Sequence, residues 1–103
     1  MLLVNTDYIT GKELEVLGIV KGNVVQSRNF GRDFMAAIKT LVGGEITEYT
    51  EMLNQARQIA VKRMVDEAEA MGADAVVNIR YASSSVMQAA AEVIAYGTAV
   101  KYE

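Results

Sequence analysis

The segment TEYTEMLNQARQIAVKRMVDEAEAMG, residues 47–72, carries the strongest structural signal in this 103-residue chain. Its apolar residues recur at helical spacing, and they are Tyr49, Met52, Leu53, Ala56, Ile59, Ala60, Met64 and Met71, flanked by Val61, Val65 and Ala68. The purely polar strip is narrow, with Glu48, Glu51, Gln55, Gln58, Lys62, Asp66 and Glu69. A surface helix of a monomer normally has a wider polar face. The pattern predicts a helix over 47–71, ended by Gly72 and covered on more than one side.

Strand patterns follow this helix. Residues 75–81 alternate in side-chain type, and residues 90–102 form the last predicted strand, with neither face cleanly polar. The run Ser83–Ser85 between them is interpreted as the connection. An antiparallel sheet with one wet side should alternate more sharply. We therefore expect a helix on one face of the sheet and a second copy of the chain on the other.

The N-terminal part combines strand and turn signals. Residues 2–4 predict a short strand, and residues 14–25 are rich in β-branched side chains. Glycine inside such a stretch indicates a bulge, a turn or a close backbone approach. We interpret Gly22-Asn23 as a hairpin turn that splits the stretch in two. Asp33 is a plausible cap for a short helix over 34–42, which Gly43-Gly44 ends.

These elements predict one α+β domain over residues 1–103. The fold class is a two-layer arrangement in which an antiparallel β-sheet packs against one long α-helix plus a short helix. No stretch is long and apolar enough to cross a bilayer, and the N-terminus lacks the features of a secretory signal. We therefore expect a cytoplasmic protein with no membrane partner.

Composition excludes several classes of chemistry. The chain has no cysteine and no histidine, so it offers neither thiolate nor imidazole to a metal or a nucleophile. Its formal net charge of −3 argues against nucleic-acid binding. The remaining oxygen donors suit only hard cations, and the acidic residues are scattered. We predict no catalytic residue, no metal ligand and no cofactor.

Two arginines are candidates for a weak anion site. Arg28 and Arg32 flank Asn29-Phe30-Gly31 ahead of the predicted short helix. Backbone N–H groups at a helix start can receive an anion together with such side chains. A plain capped loop is the alternative interpretation.

Arg63 and Glu67 fall in the middle of the apolar arc and are four residues apart. Either their heads reach water while their stems cover apolar surface, or they form a buried or interfacial ion pair. A polar group such as Tyr96 or Arg80 would extend that pair. A charge in an apolar surround needs a partner, so we expect Glu67→Gln to destabilise the fold or the oligomer more than Glu69→Gln.

The alternative to a non-catalytic protein is an enzyme whose site assembles between subunits. Arginine, tyrosine and glutamate would have to carry its chemistry. The candidate side chains are Arg57, Arg63, Arg80, Tyr81 and Tyr96. Five residues are expected to be buried or to lie at an interface: Arg57, Arg63, Glu67, Arg80 and Tyr96.

Several short motifs together resemble one family. They are Gly18-Ile-Val-Lys-Gly22, Gly31-Arg-Asp33, Gly43-Gly-Glu45 with Tyr49-Thr50, Ala56-Arg57 with Ala60 and Arg63-Met64, Gly72-Ala-Asp-Ala-Val-Val77 and Tyr96-Gly-Thr-Ala-Val100. In order and spacing they are similar to the YbjQ-like family of small bacterial proteins. The resemblance implies a dodecin-like subunit and a ring-shaped homo-oligomer, a pentamer, with no catalytic residue to carry over. The family's heavy-metal-binding label fits poorly with a chain that lacks cysteine and histidine.

The predicted function is therefore that of a non-catalytic homo-oligomeric binding or structural protein, whose partner is itself. A metal-binding protein, as the family label suggests, and an enzyme with an inter-subunit site are the alternatives. A small-molecule ligand is compatible with the sequence, but neither a ligand nor a pathway follows from it.

Overall fold

The computed structural model describes residues 1–27, 44–87 and 90–103. These ranges form four strands and one long helix: β1 (Leu2–Leu3), β2 (Leu14–Ser27), α1 (Gly44–Ala70), β3 (Ala75–Met87) and β4 (Ala90–Tyr102). The strands form one sheet in the order β1-β3-β4-β2, with α1 packed on one side. The α+β class is confirmed, and the short helix predicted over 34–42 lies outside the described residues.

The sheet is mixed, so the prediction of a wholly antiparallel sheet is wrong. β4 pairs antiparallel with both β2 and β3. β1, however, runs parallel to β3, with Leu2 opposite Ala75 and Leu3 opposite Val76. Parallel neighbours need a long crossover between them, and the chain from β1 to β3 includes α1, which meets that need.

β2 is one continuous strand, so the predicted hairpin turn at Gly22-Asn23 is wrong. Gly22 pairs with Ala95 and Asn23 with Ile94 in an unbroken register. A Cβ on Gly22 would collide with the carbonyl oxygen of Ala60 and would lie 2.7 Å from the Cβ of Arg63. Of the three interpretations of glycine in a strand, close backbone approach is the one that holds here.

The first bulge of the sheet lies between Val16 and Gly18 on β2. Gly18 has φ 143° there, a conformation that favours glycine. A bulge was among the alternatives that the sequence left open for glycine in this stretch. It lets both halves of β2 keep their pairing with β4.

The serine run belongs to β3, so its prediction as a connection is also wrong. Ser83 pairs with Val93, and Ser85 pairs with Ala91. The backbone groups of this segment that face β4 are paired in the ladder, which outweighs the turn preference of serine. The predicted bounds of the last strand, 90–102, are confirmed.

α1 buries one stripe of small and flexible side chains, namely Met52, Ala56, Ala60, Met64 and Ala68. The last four of them pack on Val20 and Val24 of β2 and on Val93, Ala95 and Ala99 of β4. The helix begins three residues before the predicted start and ends at Ala70, with Gly72 at φ 78° just beyond. Met71, predicted on the apolar side, is 40% exposed because it follows the last helical residue.

A smaller second core lies on the other side of the sheet, at one end. Ala75, Val77 and Val100 are buried there against Val4, Ile9, Leu14 and Tyr102. The backbone N–H of Val4 donates to the carbonyl of Val76, which holds the N-terminal segment in place. Within the described ranges, no helix is both long and apolar enough to cross a membrane.

Candidate functional site

The side of the sheet that faces away from α1 carries the even-numbered residues of β4 and their direct partners on β2 and β3. We call this side the open face. Three apolar side chains of β2 are strongly exposed on it: Val16 at 69%, Ile19 at 77% and Val25 at 56%. Tyr96 of β4, in the middle, is 38% exposed. Isoleucine and valine at such exposure gain only a small part of the free energy that full burial would give.

A row of three side chains crosses the middle of the open face. Tyr96 pairs with Lys21 on β2 and with Arg80 on β3. Side chains directly opposite one another on a sheet have Cβ atoms about 5 Å apart. The structure thus brings together two of the predicted residues, Arg80 and Tyr96, and adds Lys21, which no sequence pattern singles out. Only the strand register could have identified it.

The pair Arg63 and Glu67 lies at the outer edge of β2. Arg63 donates from Nη1 to the carbonyl oxygen of Asn23 at 2.7 Å. Glu67 accepts from the backbone N–H of Lys21 at 3.1 Å, through Oε1. Each side chain therefore bonds to the strand rather than to the other. Both are exposed, because this side of α1 overhangs the sheet edge.

None of the five residues predicted to be buried or interfacial is buried inside the single chain. Arg57 is half-buried and donates to the Oδ1 atom of Asn54 at 2.8 Å, whereas Arg63, Glu67, Arg80 and Tyr96 are exposed. Their placement at an interface between copies stays a prediction.

The candidates for an inter-subunit enzyme site are spread over the protomer. Tyr81 lies on the same side of the sheet as α1, opposite Ala95, and Arg80 and Tyr96 lie on the open face. Tyr81 contributes to a groove of about 340 Å³ between the N-terminal segment, α1 and β3. Its walls are mostly apolar, with Leu3, Val4, Asn5, Val61 and Ile79. A single protomer therefore does not gather these side chains into one site.

The anion candidates Arg28 and Arg32 lie outside the described residues. For metals, the chain as a whole lacks cysteine and histidine. In the described ranges, no three acidic side chains stand close enough to hold an ion. The geometry thus offers an exposed apolar face with a basic and aromatic centre, rather than a ligand cage.

Comparisons with known proteins agree on one family. A family model described as "Putative heavy-metal-binding" matches residues 1–103. A UPF0145 protein of Clostridium novyi is 63% identical over 98% of this chain and 98% of its own. A UPF0145 protein of Alkaliphilus metalliredigens is 63% identical, with 99% of each chain covered.

A solved structure supports the fold. It is a protein of unknown function of the DUF74 family from Pediococcus pentosaceus, with a TM-score of 0.74. It covers 100% of this chain and 98% of its own, at 15% identity. At that identity the likeness shows the fold alone. The full-length family match and the close relatives show that this chain belongs to the YbjQ family, also named UPF0145.

Proposed function

We propose that this chain is a non-catalytic subunit of a closed homo-oligomer, with a binding or structural role, and that the open face is its self-association surface. The observation that carries the proposal is the exposure of Val16, Ile19 and Val25 on one face. Lys21 and Asn23 lie between the last two, and Tyr96 pairs with Lys21. Apolar patches of this kind mark interaction surfaces on proteins. A second copy is the proposed occupant because most soluble oligomers are assemblies of identical chains.

The shape of the protomer supports the same proposal. Its Cα radius of gyration is 16.9 Å and its principal extents are 56 × 22 × 17 Å. A compact domain of this length has a radius of gyration near 13 Å, by the usual scaling. The long strands thus form a slab with much surface for its volume, which a neighbouring copy would cover.

The resemblance and the family membership extend this proposal to five dodecin-like subunits in a ring, located in the cytoplasm. The absence of a catalytic role rests on the composition, because no imidazole or thiol exists in the chain to activate a nucleophile.

A metal-binding role is the second candidate, and the family description favours it. The donor set does not, since heavy metals prefer thiolate and imidazole ligands. The oxygen donors of this chain suit hard cations instead. We therefore place metal binding behind self-association.

The substitution Ile19→Lys tests the role of the open face. Ile19 is 77% exposed in the protomer, so a lysine fits the single chain and should leave its fold intact. In an interface the same charge would be buried without a partner. We expect sedimentation velocity to show the native oligomer replaced by smaller species.

The matched control is Gln55→Lys, which adds the same charge on the exposed strip of α1. It should leave the oligomer unchanged. Dissociation by both variants, or by neither, would argue against the open face as the self-association surface.

A further inference from the structure

β2 is one of the two edge strands of the sheet, in the order β1-β3-β4-β2, and it is 14 residues long. A long edge strand presents a row of backbone N–H and C=O groups that can pair with a strand of another chain. Successive residues of β2 direct these groups alternately toward β4 and away from it. Lys21 and Asn23, two positions apart, direct their backbone N–H and C=O groups away from β4, as their hydrogen bonds to side chains of α1 show.

The side chains of Arg63 and Glu67 occupy this part of the edge. Glu67 accepts a hydrogen bond from the backbone N–H of Lys21, and Arg63 donates one to the backbone carbonyl of Asn23. Both groups are ones that an added antiparallel strand would require. The two side chains also place a positive and a negative charge directly on the edge, which further opposes strand addition.

The reach of these side chains depends on the close packing at Gly22. The glycine lies between Lys21 and Asn23 and lets the backbone of α1 approach β2 at Ala60 and Met64. Arg63 and Glu67 are one turn apart, so they point to the same side of the helix. Close approach and spacing together bring both side chains to the strand.

We infer that Arg63 and Glu67 close the middle of the β2 edge against strand pairing with β2 of a second copy. A β2–β2 pair would join two copies around a two-fold axis, and between closed oligomers, each with several β2 edges, it would link one assembly to the next. The inference stands apart from the proposed function, because it concerns an edge of the sheet rather than the open face.

The test compares two double variants. Arg63→Ala with Glu67→Ala removes both edge bonds. Lys62→Ala with Asp66→Ala removes a neighbouring ion pair of the same spacing, whose atoms lie 3.2 Å apart and whose side chains are 76% and 57% exposed. Only the first variant should convert slowly into larger species, as measured by sedimentation velocity. Equal conversion of the two variants, or of neither, would overturn the inference.

Amide hydrogen exchange gives a second readout before any growth occurs. The N–H of Lys21 should exchange at least about fivefold faster in Glu67→Ala than in the native chain, since its acceptor is lost. Glu67→Gln should keep the slow exchange, because its amide oxygen can still accept. An unchanged rate in Glu67→Ala would show that the bond does not protect the edge.

Destabilisation alone can also cause aggregation, and Met64→Ala controls for it. Met64 is fully buried, so its loss weakens the core and leaves Arg63 and Glu67 in place. The comparison is made at a denaturant concentration that gives each variant the same unfolded fraction. If Met64→Ala forms the larger species as fast as the edge variant, the inference is wrong.

Discussion

Gly22 shows how one residue sets the distance between the two layers. The backbone of α1 passes so close that a Cβ at this position would meet Ala60 and Met64 backbone atoms. Tight packing at this point lets the small residues Ala56 and Ala60 contribute to the core. The same approach brings Arg63 within reach of β2.

The substitution Gly22→Ala should therefore destabilise the fold. The added methyl group must push α1 away from β2, and such overpacking costs about 1–3 kcal/mol in the free energy of unfolding. Urea denaturation at one fixed protein concentration measures it. Asn23→Ala, at the next and exposed position, should change the free energy by less than about 0.5 kcal/mol. Equal stability of Gly22→Ala and the native chain would contradict the close approach.

The sequence left this residue with three interpretations because only its tertiary neighbour separates them. A turn, a bulge and a close approach all permit glycine locally. The same holds for Arg63 and Glu67. Helical spacing placed them correctly on one side of α1, but it could not show that this side overhangs a strand edge. In the protomer both residues are exposed and bond to β2, and an ion pair at an interface between copies stays a prediction.

For the helix and the strands, the spacing of apolar residues predicts the bounds well, whereas local turn preferences predict breaks that the structure does not have. α1 and β4 were predicted within a few residues, because apolar spacing reports burial directly. β2 and β3 were each predicted too short, at Gly22-Asn23 and at Ser83–Ser85. In both, pairing with β4 along its whole length outweighs the preference of glycine, asparagine and serine for turns.

The packing of α1 on the sheet depends on its buried stripe. Met64 is 0% exposed and contributes to the main core. Met64→Ala should lower the free energy of unfolding by about 2–5 kcal/mol, through lost apolar contact and a cavity. Met71→Ala is the control, since Met71 is 40% exposed beyond the helix end. Similar losses for the two variants in urea denaturation would contradict the described orientation of α1.

For the whole molecule, the composition yields a prediction about metals. The purified protein should hold well under one zinc ion per chain after dialysis against a mild chelator. The reason is that zinc sites draw on thiolate and imidazole, and the chain has neither cysteine nor histidine. Elemental analysis checks this, with the dialysis buffer as the blank. One zinc per chain after that treatment would show that oxygen donors suffice and would favour the metal-binding candidate.

The arrangement of copies in the oligomer is determined by contacts between chains rather than within one chain. The apolar faces of β4 were visible in the sequence, and the structure places one of them under α1 and the other on the open face. The exposed Val16, Ile19 and Val25 then give that face its apolar character. The number of copies depends on the curvature between subunits, which no residue pattern encodes locally.

The most direct test of self-association is the mass of the unmodified protein by light scattering at micromolar concentration. The proposal predicts one species of five times the subunit mass of 11.2 kDa, stable on dilution. Another discrete multiple would retain self-association and replace the pentamer. A mass of 11.2 kDa would contradict the proposed self-association, because the open face would then be exposed to water in the native protein.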